Sequence, residues 1–361
     1  MIRLYRVASA AATVLLVGAS MAAAQGNPYQ SSNDNYGVSG GNVNDKSNAF
    51  CCSGTLGSLV TAGGGLYVLS NNHVLARADQ AAPGEDISQP GLIDNGCQVP
   101  EIVADFTAAA ALGSNVDAAV AGLRAGTMNS TGAIEGIGTI SSVVKAAAVG
   151  LAVTKSGRTT GTTTGTVASI NTSVNVQYQK GCGKGKKFTV SYTNQVVINS
   201  STFSAGGDSG SLIVSNNSCH QPVALLYAGS SSTTIGNPVG EVLSKVGAAL
   251  GSSVSFVGGS CSAFADPTGG DWVADDQLEY ATTVKEAHVS ALMADPAVMA
   301  VGVGADASEP GRAAIVIILE EGRTHRPLPS EIDGLQVRVL RSDLIRAYGW
   351  NEAQPQQACS R

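Results

Sequence analysis

Beyond its first 24 residues this 361-residue chain has no apolar run of about 18 residues or more, so no later segment is suited to anchor it across a bilayer. Its seven cysteines and four histidines include no Cys-x-x-Cys and no His-x-x-x-His, which removes the common zinc frameworks, and no metal or cofactor is expected. Charge is scarce too: Asp, Glu, Lys and Arg make up 13% of the chain, with a formal balance of −6. Such a chain is a poor general partner for nucleic acid. The one basic cluster, Lys180, Lys184, Lys186 and Lys187, sits among glycines without interleaved aromatics and reads as a solvated hairpin tip. The glycine-rich stretch 156–165 lacks the lysine of a phosphate-binding loop, and its threonines point to a β-hairpin.

What is present begins with an export signal. Arg3 and Arg6 precede an apolar stretch, Val7 to Ala19, and Ala22-Ala23-Ala24 forms a small-residue cleavage site before Gln25. Residues 1–24 are therefore expected to be a signal peptide, and the protein secreted or periplasmic. Loss of Arg3 and Arg6 takes the balance from −6 to −8. No cysteine follows the cut, so no lipid anchor is expected. Cysteines in an exported chain suggest disulfides, with one cysteine left over from an odd count. The expected pairs are Cys182 with Cys219, and Cys51 or Cys52 with Cys97.

Three separated segments carry chemistry. Gly206-Gly207-Asp208-Ser209-Gly210-Ser211 sets a serine on a glycine-flanked turn, where the amides of Gly207 and Ser209 could converge on a developing oxyanion. His73 follows an apolar run, Leu66 to Leu69, that reads as a strand ending in a polar turn. Asp117 is followed by Ala118-Ala119-Val120-Ala121, which suggests a half-buried carboxylate in need of a donor such as an imidazole N–H. Histidine can take the proton of a serine hydroxyl, and the aspartate fixes its tautomer and stabilises the imidazolium. Asp94, in Gln89-Pro90-Gly91-Leu92-Ile93-Asp94-Asn95-Gly96, reads as a surface turn instead. His220, His288 and His325 read as surface or structural residues.

The order His73, Asp117, Ser209, with separations of 44 (117 minus 73) and 92 (209 minus 117), resembles that of the chymotrypsin-fold, trypsin-like serine peptidases of bacterial secreted type. The resemblance covers roughly residues 51 to 258. It implies His73 as general base and then general acid, Asp117 as its orienter, Ser209 as nucleophile, and Gly207 with Ser209 as oxyanion donors. The family's usual Gly-Asp-Ser-Gly-Gly is here Gly-Asp-Ser-Gly-Ser. Asn71-Asn72-His73-Val74 replaces the Ala-Ala-His-Cys of animal members, so no disulfide pins the histidine loop. Where the trypsin branch has an aspartate, six residues before the serine, this chain has Phe203. Basic specificity is not supported, and a small or apolar side chain is the expected preference. Ala228 and Gly229 would line the cleft and offer backbone hydrogen bonds to an extended peptide.

Around these motifs the texture is that of short strands. Residues 25–50, rich in Asn, Gly and Ser, read as a flexible leader. From Cys51 to Ser260, Val-, Thr-, Ile- and Ala-rich runs alternate with Gly, Ser and Asn turns, the pattern of an all-β sandwich or barrel. The resemblance implies two six-stranded barrels with the triad between them. One helical signal closes the region at Pro238 to Leu250, which matches the family's terminal helix. Residues 261–275 read as a linker. Residues 276–361 read as a small α+β domain of unknown role: a helix opening on Asp276-Gln277-Leu278-Glu279, strands at Val298 to Val303, Ala313 to Leu319 and Leu335 to Leu340, and a helical turn at Pro329 to Ile332. The leading expectation is an endopeptidase acting on protein or peptide substrates. The alternatives are a catalytically silent binding or scaffold protein on the same fold, and a serine esterase, which would want Gly-x-Ser-x-Gly between a strand and a helix.

Overall fold

The computed structural model describes residues 27–183, 185–262 and 273–347. The expected signal peptide, Lys184, most of the expected linker and Cys359 lie outside the described residues. The first strands are β1 (Val38–Asn42), β2 (Gly54–Leu56), β3 (Ser58–Ala62), β4 (Gly65–Ser70), β5 (Asp86–Gln89), β6 (Glu101–Ala109) and β7 (Ala119–Leu123). Only Gly57 separates β2 from β3, and its N–H donates to Leu69 O on β4. Pairing then runs from β1 to β2–β3, β4, β7, β6, β5 and back to β1, all antiparallel. This is a closed six-stranded ring. Closure leaves no unpaired edge, which suits a polar, glycine-rich strand such as β1.

That strand corrects one expectation. Residues 36–43 are buried, not a flexible leader, and Tyr36 and Val38 are wholly inside the first core. Ser39-Gly40-Gly41-Asn42 shows no apolar alternation because its role is close backbone approach: a Cβ on Gly40 would collide with the Leu56 side chain.

The second ring is built from β8 (Ala152–Gly157), β9 (Gly161–Gln179), β10 (Lys187–Asn199), β11 (Leu212–Ser215), β12 (Pro222–Gly229) and β13 (Thr233–Pro238). It closes in the order β8, β9, β10, β13, β12, β11 and back to β8. Two of these strands are long, β9 with 19 residues and β10 with 13. The stretch from Gly57 to Leu69 is a hairpin. A four-residue helix, α1 (Asn72–Leu75), follows β4, and α2 (Val239–Leu250) sinks Val239, Val242 and Val246 into the first core, tying the barrels together.

Beyond β14 (Val254–Phe256), which pairs with β3, come α3 (Asp275–Met293), β15 (Val298–Ala305), β16 (Ala313–Glu320), β17 (Glu331–Ile332), β18 (Leu335–Ser342) and β19 (Arg346–Ala347). The small α+β unit is present, yet it does not form a sheet of its own. β15 pairs antiparallel with β9, opposite Val174, Ser173, Ile170 and Ser169, so the barrel sheet runs on into β16 and β18. Length explains it: β9 lines β10 along one edge and β8, β15 and β19 in turn along the other. α3 packs Ala281 and Val284 on this extension. It starts at Asp275, one residue before the expected opening, with no side-chain cap, and Asp275 and Asp276 in its first turn favour the helix dipole. The helical turn expected at Pro329 to Ile332 is instead the bridge strand β17.

Three disulfides staple the chain: Cys51–Cys97, Cys52–Cys182 and Cys219–Cys261. The first matches expectation and the pairing of Cys182 with Cys219 does not. Cys182, at the β9–β10 hairpin tip, is carried back to the segment before β2, a union between barrels that spacing alone could not reveal.

Candidate active site

The two barrels present their loops to each other, and the expected catalytic residues lie on those loops. α1 holds His73 immediately after β4. The two asparagines that replace the animal Ala-Ala do the work of the missing disulfide. Asn71 Nδ2 donates to Asp117 O at 2.7 Å, and Asn72 Nδ2 donates to Ala110 O at 2.8 Å and Asp79 Oδ1 at 2.6 Å. Asp79 N donates back to Asn72 Oδ1 at 2.9 Å.

Asp117 sits between β6 and β7 and is wholly buried rather than half-buried. Its Oδ2 accepts from His73 Nδ1 at 2.6 Å and from Tyr178 OH at 2.8 Å, and its Oδ1 accepts from His73 N at 3.1 Å. Asn237 Oδ1 receives the Asp117 amide at 2.9 Å and is itself held through Gln195. A buried carboxylate is tolerated only when its oxygens are satisfied in this way. Since an ionised carboxylate only accepts, Nδ1 must carry the hydrogen, and the neutral imidazole keeps its lone pair on Nε2.

Tyr178 carries no motif, and sequence reasoning missed it. It lies 61 residues from Asp117, and only the curl of β9 brings it there. Burial, and then the Asp117 charge, push its phenol well above the ordinary tyrosine range, so it stays a neutral donor. With its one hydrogen given to Asp117, Tyr178 accepts from Tyr192 OH at 2.6 Å.

The serine turn is fastened by different chemistry. Asp208, also fully buried, receives Thr159 N (2.8 Å) and Thr160 N (3.1 Å) on Oδ1, and Ala205 N (3.0 Å) and Thr160 Oγ1 (2.7 Å) on Oδ2. Lys155 Nζ, with no side-chain exposure, pairs with the same oxygen at 3.3 Å. Burial lowers the Lys155 pKa, and Asp208 opposes that shift. Gly207 has φ +100°, and a side chain there would run into Thr159 and Arg158. Its carbonyl accepts from Thr55 Oγ1 at 2.9 Å, which directs the peptide. The amides of Asp208 and Gly210 are spent on Ala205 O and Leu226 O.

Ser209 is brought to the histidine side by β2. Its carbonyl accepts from Thr55 N at 2.8 Å, and Gly54 is wedged between that carbonyl and Val74, the residue after His73. Two closed barrels, with histidine and aspartate loops on the first and a serine turn on the second, decide the architecture. The chain has the chymotrypsin-like double-barrel fold. Its strand rings establish this on their own. No protein-family model matches the sequence, and no curated protein matches it. Among solved structures the chain is similar to Cellulomonas bogoriensis chymotrypsin (19% identity, 62% of this chain and 98% of that one, TM-score 0.40). It is also similar to Thermobifida fusca protease A (19% identity, 57% and 92%, TM-score 0.39) and to a glutamic acid specific serine protease (23% identity, 61% and 98%, TM-score 0.42).

Within this chymotrypsin-like fold, other expected residues take different places. Phe203 is fully buried in the core of the second barrel with Val153, Val167, Ile198 and Ile213. It fills the barrel and does not line an open pocket. Ala228 and Gly229 lie on β12, both buried, and already have a strand partner in β19. Asp94 is no surface turn: it grips Arg158 at 2.6 Å through both oxygens, with 8% side-chain exposure on each partner, and so braces the residue beside Gly207. Asp45, buried near His73 and Arg77, is raised to about 7 by desolvation, which the charge of Arg77 only partly offsets. Its neighbours Cys52 and Cys182 form a disulfide and so have no thiolate to offer a metal.

Proposed function

We propose that the chain is a secreted serine endopeptidase that hydrolyses peptide bonds through an acyl-enzyme on Ser209. The grip of the buried Asp117 carboxylate on His73 Nδ1, at 2.6 Å and beside the Ser209 turn, carries this reading. His73 Nε2 takes the hydroxyl proton as Ser209 Oγ attacks the scissile carbonyl, while Asp117 stabilises the imidazolium. The amides of Gly207 and Ser209 receive the oxyanion. His73 then returns the proton to the leaving amine, and water repeats the sequence on the acyl-enzyme.

Phe203, packed inside the barrel, brings no charge to draw lysine or arginine and does not itself set the side chain preferred at the cleaved position. The β12 edge at Ala228 and Gly229 serves as the strand against which an extended peptide aligns. Three disulfides suit an oxidising compartment, and among the described residues no helix is long and apolar enough to cross a membrane. The α/β-hydrolase route to an esterase needs a parallel sheet, and the strands here close antiparallel rings. A silent scaffold is the reading favoured by one observation, the near-complete burial of His73 and Ser209, at 1% and 0% exposure.

An exhaustive reaction with a fluorophosphonate probe followed by mass spectrometry should place the label on Ser209, with loss of label and of proteolysis in Ser209→Ala. Proteolysis that survives this substitution would sink the mechanism. Label with ester hydrolysis but no proteolysis would turn the reading toward an esterase.

A further inference from the structure

We infer that the segment ending in β19 is an internal ligand of the substrate edge, so that the full chain is held inactive by its own C-terminal unit. The inference rests on the peptidase reading above and names the peptide that its cleft already holds. The edge of β12 that fastens the serine turn, through Gly210 N to Leu226 O, passes two residues later to a foreign strand. Ala347 pairs antiparallel with Ala228, and Arg346 with Gly229. Two residues of strand are about 7 Å, so Ala347 lies beside the nucleophile turn.

On its other side the same segment meets β9, where Gln177 N donates to Ile345 O at 3.1 Å. The segment is thus a short strand laid in the groove between β12 and β9. Its side chains alternate as a cleft ligand's should: Ile345 and Ala347 are fully buried, and Arg346 between them is partly exposed. Ile345 and Ala347 share one apolar cluster with Tyr178, Tyr192 and Tyr227, the wall behind Asp117.

The segment is also tied down at its entrance. Asp343 Oδ1 accepts from Ser231 N at 2.8 Å and from Ser231 Oγ at 2.5 Å, and the Ser342 hydroxyl meets that of Ser230. All these partners follow directly on Gly229. Because β15 is laddered to β9, the segment is delivered at the high effective concentration of a tethered ligand. The near-complete burial of His73 and Ser209 agrees with an occupied cleft. Such an occupant also describes the site's preference: an extended peptide with a small residue opposite Ala228 and a branched apolar residue two positions before it.

The test uses the full chain. Ile345→Asp puts an unpaired charge in the apolar cluster and should release the segment. If the segment covers the edge at least nine-tenths of the time, fluorophosphonate labelling of this variant is about tenfold or more faster than that of the unaltered chain. A synthetic peptide of residues 341–347 should then restore protection, raising KM without changing kcat and slowing hydrogen exchange at Ala228 and Gly229. Asp343→Ala, at the exposed entrance, is the milder variant should the first fail to fold, and should give a smaller acceleration. Equal labelling of the unaltered chain and a folded variant, or a peptide that neither competes nor protects those amides, overturns the inference. A released variant that binds the peptide at β12 yet never labels at Ser209 leaves the internal ligand standing and defeats the peptidase reading instead.

Discussion

The histidine loop and the serine turn face each other across one cleft but are secured in opposite ways. Neutral side chains hold the first: Asn71 and Asn72 reach backbone carbonyls, and Tyr178 supplies a hydroxyl to Asp117. The second hangs on a buried ion pair, Asp208 with Lys155, inside a shell of four further donors. A neutral anchor that is lost leaves a dipole short of one partner, whereas a lost ionic partner leaves a whole charge without compensation. The serine turn therefore has a single point of failure in Lys155, and the histidine loop spreads its risk.

The triad itself breaks the comparison most severely, because there the two loops act as one unit. In the proposed mechanism His73→Ala and Ser209→Ala each lower kcat by about 10⁶, and the double variant is no worse than either. Residual peptide hydrolysis, measured at saturating substrate for each variant, would detect additive losses, which would show that the residues do not cooperate. Next in size, Lys155→Met strands the Asp208 carboxylate and should destabilise the fold by about 3–5 kcal/mol in denaturant titration. A loss under about 1 kcal/mol would mean that the four other donors suffice.

Asp45 is a buried acid on the histidine side. Its folded pKa is raised to about 7 from an ordinary 3.8, so above pH 4 the unfolded chain gives up a proton that the folded chain keeps. Stability is therefore lost as pH rises through that window. Asp45→Asn should match the unaltered protein below about pH 4 and exceed it by a few kcal/mol at pH 8, with the gap opening between. A gap that does not vary with pH would mean that Asp45 is not protonated in the fold. Asn72→Ala removes three hydrogen bonds and should cost about 1–3 kcal/mol, less than Lys155→Met. Smallest of all, Tyr178→Phe takes one donor from Asp117 and should lower kcat about tenfold, with little change in KM.

Much of the site was legible in local chemistry. The glycine-flanked serine, a histidine after an apolar strand and an aspartate before small apolar residues are features of short segments, and the serine and histidine sit on the turns their patterns suggested, while Asp117 is more deeply buried than its pattern suggested. The helix at Val239–Leu250 and the strands at 298–305, 313–320 and 335–342 were legible for the same reason, since hydrophobic period is a local signal. β1 was not, because a strand built on close glycine contact shows no apolar period. Asp94 was misjudged because its partner, Arg158, is 64 residues away.

By itself the sequence determined which residues form the candidate site and roughly where most strands would form, since backbone preference and amphipathic alternation act over a few neighbours. Tertiary structure alone decided that Tyr178 donates to Asp117, that Cys52 binds Cys182, and that β19 lies on Ala228 and Gly229. Those pairings join positions 61, 130 and 117 or more residues apart (the last 346 minus 229). They follow from ring closure and from a β9 long enough to serve both the barrel and the unit beyond it, and neither leaves a mark in any short stretch of chain.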